Sequence, residues 1–284
     1  MNDNYIKKIK LYREYFPHRQ EYLFNHFLLK GYQLTTLSSV ADEFFPDLLS
    51  AKLHLGMLIT LFDDFADHPN FNQPQLLDKL YDLPYFHRSP TRGSALDEIT
   101  QTDCEFSKAV IGLAIDICED MIKSLSILPH HACYSELFVF DLKQFHQCNR
   151  YFEILRKYPK LKNLTEIQYY SSYNMGIVLV GIMDIMASPN FDMNELGISR
   201  ELFILAQRYA KISNNLITFD REINEQDYSS ELLMVSENHA LKEQKILLQK
   251  MLAIQDKLKS FDAMKYINSM QQLHHLHEES RGSI

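Results

Sequence analysis

The sequence has little of what turns and cross-links require. It contains no tryptophan, 4 cysteines, 8 glycines and 9 prolines among 284 residues. Folds built from many short strands use glycine and proline at their turns, so this scarcity favours long helices with few connections. No cysteine pair has the CxxC spacing of zinc or redox sites, and we expect four reduced core thiols in a cytosolic protein. These thiols are Cys104, Cys118, Cys133 and Cys148.

Excess positive charge, an apolar leader and a long apolar run are also missing. The formal net charge is −8 at pH 7, which argues against a nucleic-acid partner. Residues 1–16 lack the apolar segment of a secretory signal. The most apolar stretch, 176–187, contains Asp184 and is too short to cross a bilayer. We therefore predict a cytoplasmic protein without a membrane span.

Apolar residues recur at helical spacing along most of the chain, and strict alternation is nearly absent. Because the proline-containing turns between these segments are short, we predict one α-helical domain over residues 1–284, with 1–15 and 278–284 flexible. The LHHLH stretch at 273–277 is interpreted as a frayed end in preference to a metal site. The predicted helical segments are 18–40, 48–67, 96–127, 132–157, 164–187, 199–226 and 230–277.

Three aspartates stand near the end of one apolar segment, LHLGMLITLFDDFADHP. In a helix, Asp63 and Asp67 lie one turn apart on one face, and Asp64 flanks Asp67 at i+3. Like charges at this spacing destabilise a helix, and negative charge at its C-terminal end opposes the macrodipole. A bound divalent cation would remove the repulsion, and carboxylate oxygens suit Mg²⁺. The alternative is a solvated acidic helix end.

A second row of oxygen donors follows about 150 residues further along the chain. Asn214, Thr218 and Glu222 recur at i, i+4 and i+8, which places all three on one helix face. A carboxamide, a hydroxyl and a carboxylate again offer the hard oxygen ligands that Mg²⁺ prefers. Lys211 and Arg221 project from nearly the same face, as expected if the ligand is a polyanion such as diphosphate.

The two rows together resemble the motifs of class I terpene synthases. The aspartate cluster is similar to the aspartate-rich motif of that family, and the second row is similar to its NSE-type motif, in the same order and at the same separation. The resemblance implies an all-α, single-domain helical bundle with a central active-site cavity. It also implies three Mg²⁺ ions, and the metal ligands would be Asp63, Asp64, Asp67, Asn214, Thr218 and Glu222.

A third segment, 166–183, resembles the broken helix of the same family, loosely as in bacterial ent-kaurene-type diterpene synthases. We expect the break at Asn174, Met175 and Gly176, because glycine relaxes helical geometry. In the family the break aims a backbone carbonyl at the cationic substrate, whereas the alternative here is a buried helix with packing glycines. The family's sensor arginine is replaced by Ser172, and its C-terminal Arg-Tyr pair is missing.

The resemblance implies an enzyme that ionises an isoprenyl diphosphate and cyclises the carbocation to a terpene. Arg221 would stabilise the leaving diphosphate, with Lys211 and Arg150 as further diphosphate contacts. Among the aromatic residues, Phe62 and Phe219 are expected to face the substrate because they adjoin the ligand rows.

Substrate and class remain open at this stage. A twenty-carbon substrate, either linear or copalyl diphosphate, is favoured over fifteen-carbon farnesyl diphosphate because of the kaurene-synthase likeness of 166–183. Two other readings are a chain-elongating prenyl diphosphate synthase and a non-catalytic helical binding protein. The sequence leaves a homodimer open.

Overall fold

The computed structural model describes residues 3–67, 78, 80–83, 104–225 and 230–280, with backbone alone for 65–67 and 220–225. These residues contain no β-strand, which confirms the prediction of an all-α protein. The α-helices are α1 Asp3–Tyr15, α2 Leu28–Thr35, α3 Phe45–Asp67, α4 Glu105–Ser126, α5 His131–Lys157, α6 Leu164–Tyr170, α7 Ile177–Met186, α8 Leu196–Glu225, α9 Glu237–Ile254 and α10 Ala263–Glu279. A π-helical turn covers Leu23–Phe27, and 3-10 turns cover Pro159–Leu161, Ser171–Met175, Met193–Glu195, Glu231–Leu233 and Gln255–Lys257.

The N-terminal segment, for which we predicted flexibility, forms α1 and packs into the protein. Tyr5, Ile9 and Tyr12 recur at helical spacing and are each at most 2% exposed. The helix contacts α4, where Lys8 Nζ lies 2.7 Å from the carboxylate of Asp120. The apolar face of α1 is short and interrupted by lysines. Sequence periodicity alone therefore did not predict a buried helix in this segment.

Helix α3 runs through the core and contacts α4, α2 and α7. It is buried nearly all round because helices cover it on several sides, and its side chains are accordingly apolar. By length and composition, Phe45–Asp64 is the one described helical stretch that could cross a membrane, and 61% of the tested window is buried inside the protein. Core helices of packed proteins pass the same test.

The predicted break in the segment 166–183 is present in the backbone. Helix α6 tightens into the 3-10 turn Ser171–Met175, and Gly176 then adopts a left-handed conformation with φ +65° before α7 begins. A Cβ atom at position 176 would lie 2.9 Å from Ile59 Cδ1 on α3. Glycine is therefore required here for both its backbone conformation and the close approach of α3.

The C-terminal region departs from the prediction in two ways. The segment 230–277, predicted as helical, contains two helices, α9 and α10, because the chain turns at 255–262 and Asp262 caps α10 by accepting from the Lys265 N–H at 2.8 Å. Both helices pack on α8. The LHHLH stretch is a regular part of α10 and not a frayed end, since His277 is 9% exposed.

The cysteines are free, as predicted, but only two are core residues. Cys118 and Cys148 are buried, whereas Cys104 and Cys133 are exposed. The two exposed thiols lie at helix starts, since Cys104 immediately precedes α4 and Cys133 is in the first turn of α5.

Candidate functional site

A cavity of about 330 Å³ lies between α2, α3, α8, α10 and the broken helix. Its volume falls at the lower end of the range for small-molecule sites. We refer to the lining residues Arg19, Asp63, Lys211, Asn214 and Thr218 as the polar part of the cavity. The apolar lining comprises Leu23, Phe27, Leu28, Ile177, Val180, Met270 and Leu273, with Met175 and Tyr32 beside them.

Both rows of oxygen donors reach this cavity. Asp63 projects into it from α3, and Asn214 and Thr218 project from α8. The Thr218 hydroxyl donates its proton to the Asn214 carbonyl oxygen at 2.7 Å, so its own oxygen can act as an acceptor or ligand. Chain segments about 150 residues apart thus present a carboxylate, a carboxamide and a hydroxyl to one space.

Asp64, next to Asp63 in the chain, faces a different partner. Its carboxylate accepts from the Tyr12 hydroxyl at 2.5 Å and from Arg19 Nε at 2.9 and 3.1 Å. His18 Nε2 lies 3.3 Å from Oδ1. Asp64 is 5% exposed and is not among the described residues that line the cavity, and residues of the N-terminal segment contact both of its carboxylate oxygens. Its role as a metal ligand stays a prediction.

Lys211 is a buried cation in the cavity wall. It is 2% exposed, and no carboxylate among the described residues forms an ion pair with it. Burial raises the pKa of the nearby Cys148 thiol to about 12, and the charge of Lys211 opposes that rise. Burying an ammonium group without a counter-ion costs free energy. An anionic ligand that binds beside Lys211 would supply the counter-charge.

Three predicted site residues lie elsewhere. Arg150 forms ion pairs with Glu153 and, through Nε at 3.2 Å, with Asp78. Phe62 is 1% exposed and packs edge-on against Tyr81, with ring centroids 5.1 Å apart. Neither residue is among the described residues that line the cavity, and Phe219 is not among them either. Consecutive helix positions are rotated by about 100°, so adjacency to a ligand does not place an aromatic ring on the same face.

Three further predicted residues lie outside the described side chains. Asp67 is the last residue of α3, and Arg221 and Glu222 belong to the end of α8. Among the side chains that are described, no group of three or more histidine, cysteine, aspartate or glutamate residues could hold a metal ion. Of the predicted metal ligands, those whose described side chains line the cavity are therefore Asp63, Asn214 and Thr218.

The cavity also contains residues that the sequence analysis missed. Arg19, from the turn after α1, and His274 and His277, from α10, all line it. His274 Nδ1 lies 2.8 Å from the Ser213 hydroxyl oxygen, and burial lowers the pKa of His274. The sequence carries no signal for Arg19, because its partner Asp64 is 45 positions away.

A second charged group lies deeper in the protein, where Asp184 of α7 lines the cavity. Lys52 Nζ lies 2.5 Å from Asp184 Oδ1 and also donates to Thr36 Oγ1 at 2.9 Å. The backbone N–H of Leu37 donates to Asp184 Oδ2 at 3.3 Å. Burial lowers the pKa of Lys52 and raises that of Asp184, while their mutual attraction opposes both shifts.

Comparison with known proteins assigns no family to this chain. A scan against protein-family models finds no match. A search of curated proteins likewise finds no matching sequence. The residues of the cavity are therefore the ground on which a function is inferred.

Proposed function

We propose that this protein is a class I terpene synthase that ionises an isoprenyl diphosphate and cyclises the resulting carbocation. One observation carries the proposal. Asp63 of the aspartate-rich row and Asn214 and Thr218 of the second row line the same cavity, which also has an apolar lining. Two hydrophilic rows on otherwise buried helices violate the usual pattern of core helices, and such violations mark functional sites.

The donor set at the cavity fits Mg²⁺. Asp63, Asn214 and Thr218 would hold the metal, together with Asp67 and Glu222 as predicted from the motifs. When bound, Mg²⁺ would neutralise charge on the diphosphate leaving group. Asp63, Asn214 and Thr218 offer hard oxygen atoms, which this cation prefers.

The chain's own cations would hold the diphosphate. Lys211 supplies a positive charge in a water-poor wall, and Arg221 follows three residues after Thr218 on the same helix. Charge that develops on the leaving group as the C–O bond breaks is stabilised more strongly in a buried site than in water.

The apolar wall would then shape the carbocation and exclude water. Its aromatic members are Phe27, Tyr32 and Tyr266, which replace Phe62 and Phe219 as the rings offered to the cation. A ring face contributes about 0.5–2 kcal/mol toward a nearby cation. Asn174 and Met175, at the break before Gly176, also line this wall.

The proposed substrate is a twenty-carbon diphosphate, linear or copalyl, and farnesyl diphosphate is the second choice. The experiment is incubation of the purified protein with Mg²⁺ and geranyl, farnesyl, geranylgeranyl or copalyl diphosphate, with hydrocarbons measured by gas chromatography. We expect a cyclic product from one substrate, and none from that substrate with Asp63→Asn.

Added isopentenyl diphosphate separates the nearest rival. Its consumption, with a longer diphosphate as product, would identify a chain-elongating synthase instead. If no substrate yields a hydrocarbon and no diphosphate is released, the protein is a non-catalytic helical binding protein and the proposal is wrong. The cytoplasmic location and the absence of a nucleic-acid partner remain part of the proposal.

A further inference from the structure

The turn after α1 brings a cation to the polar part of the cavity. Arg19 lines the cavity together with Asp63, Lys211 and Asn214, and its side chain is 24% exposed. Among the described lysines and arginines, the ones that line the cavity are Arg19 and Lys211. The N-terminal segment is therefore part of the cavity wall.

The orientation of this arginine is fixed by buried partners. Arg19 Nε contacts both Asp64 oxygens, at 2.9 and 3.1 Å, and Nη2 lies 2.8 Å from Oδ1. Asp64 is itself held by the Tyr12 hydroxyl, which comes from α1. These contacts engage one edge of a planar group that carries five N–H donors, so the opposite edge retains donors for a second anion.

We propose that Arg19 binds the diphosphate of the substrate and that Asp64 and Tyr12 are positioning residues for it. This inference rests on the proposed function. It divides the aspartate-rich row into two tasks: Asp63 faces the metal and substrate, and Asp64 orients the arginine. It also adds a cation to the cavity wall, whereas Arg150, predicted to contact the diphosphate, is paired with Glu153.

Side-chain entropy and hydrogen-bond geometry both favour an arginine that is held by Asp64 and binds the diphosphate. A lone arginine beside a buried site would move freely and lose side-chain entropy on binding, whereas one locked by a carboxylate is preorganised. Because a guanidinium binds carboxylate and phosphate groups through parallel N–H bonds, it can bridge Asp64 and a diphosphate in one plane.

The experiment is calorimetric titration of the full-length protein with inorganic diphosphate at fixed Mg²⁺. The variants are Arg19→Ala, Asp64→Asn, the double variant, and Lys8→Met. We expect Arg19→Ala to weaken diphosphate binding 10-fold to 100-fold, on the order expected for charge-assisted bonds. Asp64→Asn should weaken it several-fold alone and have no further effect in the Arg19→Ala background, because it acts through Arg19.

Lys8→Met is the matched control. Lys8 forms an ion pair that links α1 to Asp120 on α4, so its removal should weaken the packing of α1. Lys8 does not line the cavity, so its removal should not affect the diphosphate directly. We expect a lower melting temperature and an unchanged diphosphate affinity. If Lys8→Met weakens binding as much as Arg19→Ala, loosening of α1 explains the effect and the assignment of Arg19 is overturned.

Two further outcomes are decisive. Wild-type affinity in Arg19→Ala, or an equal effect of Asp64→Asn with and without Arg19, overturns the inference while leaving the proposed function standing. Failure of the wild-type protein to bind diphosphate at any Mg²⁺ concentration removes the proposed function itself and this inference with it.

Discussion

The polar part of the cavity and the Lys52–Asp184 pair differ in whether a buried charge has a partner of opposite charge. Lys52 and Asp184 are 0% exposed and form an ion pair with each other. Thr36 and the backbone of Leu37 make further hydrogen bonds to the pair. Lys211, by contrast, is 2% exposed and has no carboxylate partner among the described residues. Because Lys52 and Asp63 are 11 positions apart on α3, the two regions are separated by about 16 Å along that helix.

The difference teaches how to distinguish structural charge from functional charge. A buried ion pair with its hydrogen bonds made contributes to the architecture, since removing either partner leaves a charge in a poor solvent. A buried cation without a counter-ion destabilises the fold until a ligand arrives. Stability and activity should therefore respond in opposite ways to substitutions in the two regions.

The largest effect is expected from breaking the buried pair. Lys52→Met should lower the free energy of unfolding by about 3–5 kcal/mol, because Asp184 is left buried without a counter-charge. Lys52→Met combined with Asp184→Leu should recover most of this loss. Urea unfolding monitored by circular dichroism measures both. A single variant as stable as the wild type would show that the pair is not structural.

The opposite response is expected at Lys211. Lys211→Met should leave the free energy of unfolding unchanged or raise it, because it removes a buried charge that has no carboxylate partner among the described residues. Steady-state kinetics should show kcat/KM lower by about 100-fold to 1,000-fold, equivalent to about 2.7–4 kcal/mol of lost charge stabilisation. A destabilised protein with normal kinetics would make Lys211 a structural residue like Lys52.

A smaller effect is expected at the helix break. Gly176→Ala should lower the free energy of unfolding by about 1–3 kcal/mol, because φ is +65° and the added Cβ would approach Ile59. Gly112→Ala on α4 is the control, since its Cβ would meet no atom within 4 Å. It should raise stability by about 0.5–1 kcal/mol. Equal effects of the two substitutions in urea would argue against strain at 176.

The smallest effect distinguishes a ligand oxygen from a packing group. Thr218→Val keeps the shape and removes the hydroxyl, whereas Thr218→Ser keeps the hydroxyl. If the oxygen is a Mg²⁺ ligand, Thr218→Val should require more Mg²⁺ for half-maximal activity and Thr218→Ser nearly the wild-type amount. Identical magnesium titrations for both variants would remove Thr218 from the proposed ligand set.

Features set by local chemistry could be predicted from the sequence. Helical periodicity gave the all-α class, and the Asn-Met-Gly run at 174–176 marks the break because glycine alone tolerates the left-handed conformation there. The i, i+4 spacing placed Asn214 and Thr218 on one face, and both line the cavity.

Features set by partners distant in the chain could not be predicted. Nothing near Asp64 in the sequence reveals that Tyr12 and Arg19 occupy its oxygens, since that choice depends on how α1 packs. The same holds for Arg150, whose partner Asp78 lies on another segment. The sequence shows a row of charged residues, but which residues of opposite charge pair with them depends on the tertiary structure.

The central claim is that the polar part of the cavity binds diphosphate with Mg²⁺, and ligand-dependent melting of the wild-type protein tests it most directly. With Mg²⁺ and inorganic diphosphate together, at about 100 times the dissociation constant, we expect a rise of several degrees, corresponding to about 2.7 kcal/mol. Either ligand alone should give a smaller rise, and Asp63→Asn should abolish the joint effect. An unchanged melting temperature of the wild type with both ligands present would contradict the account.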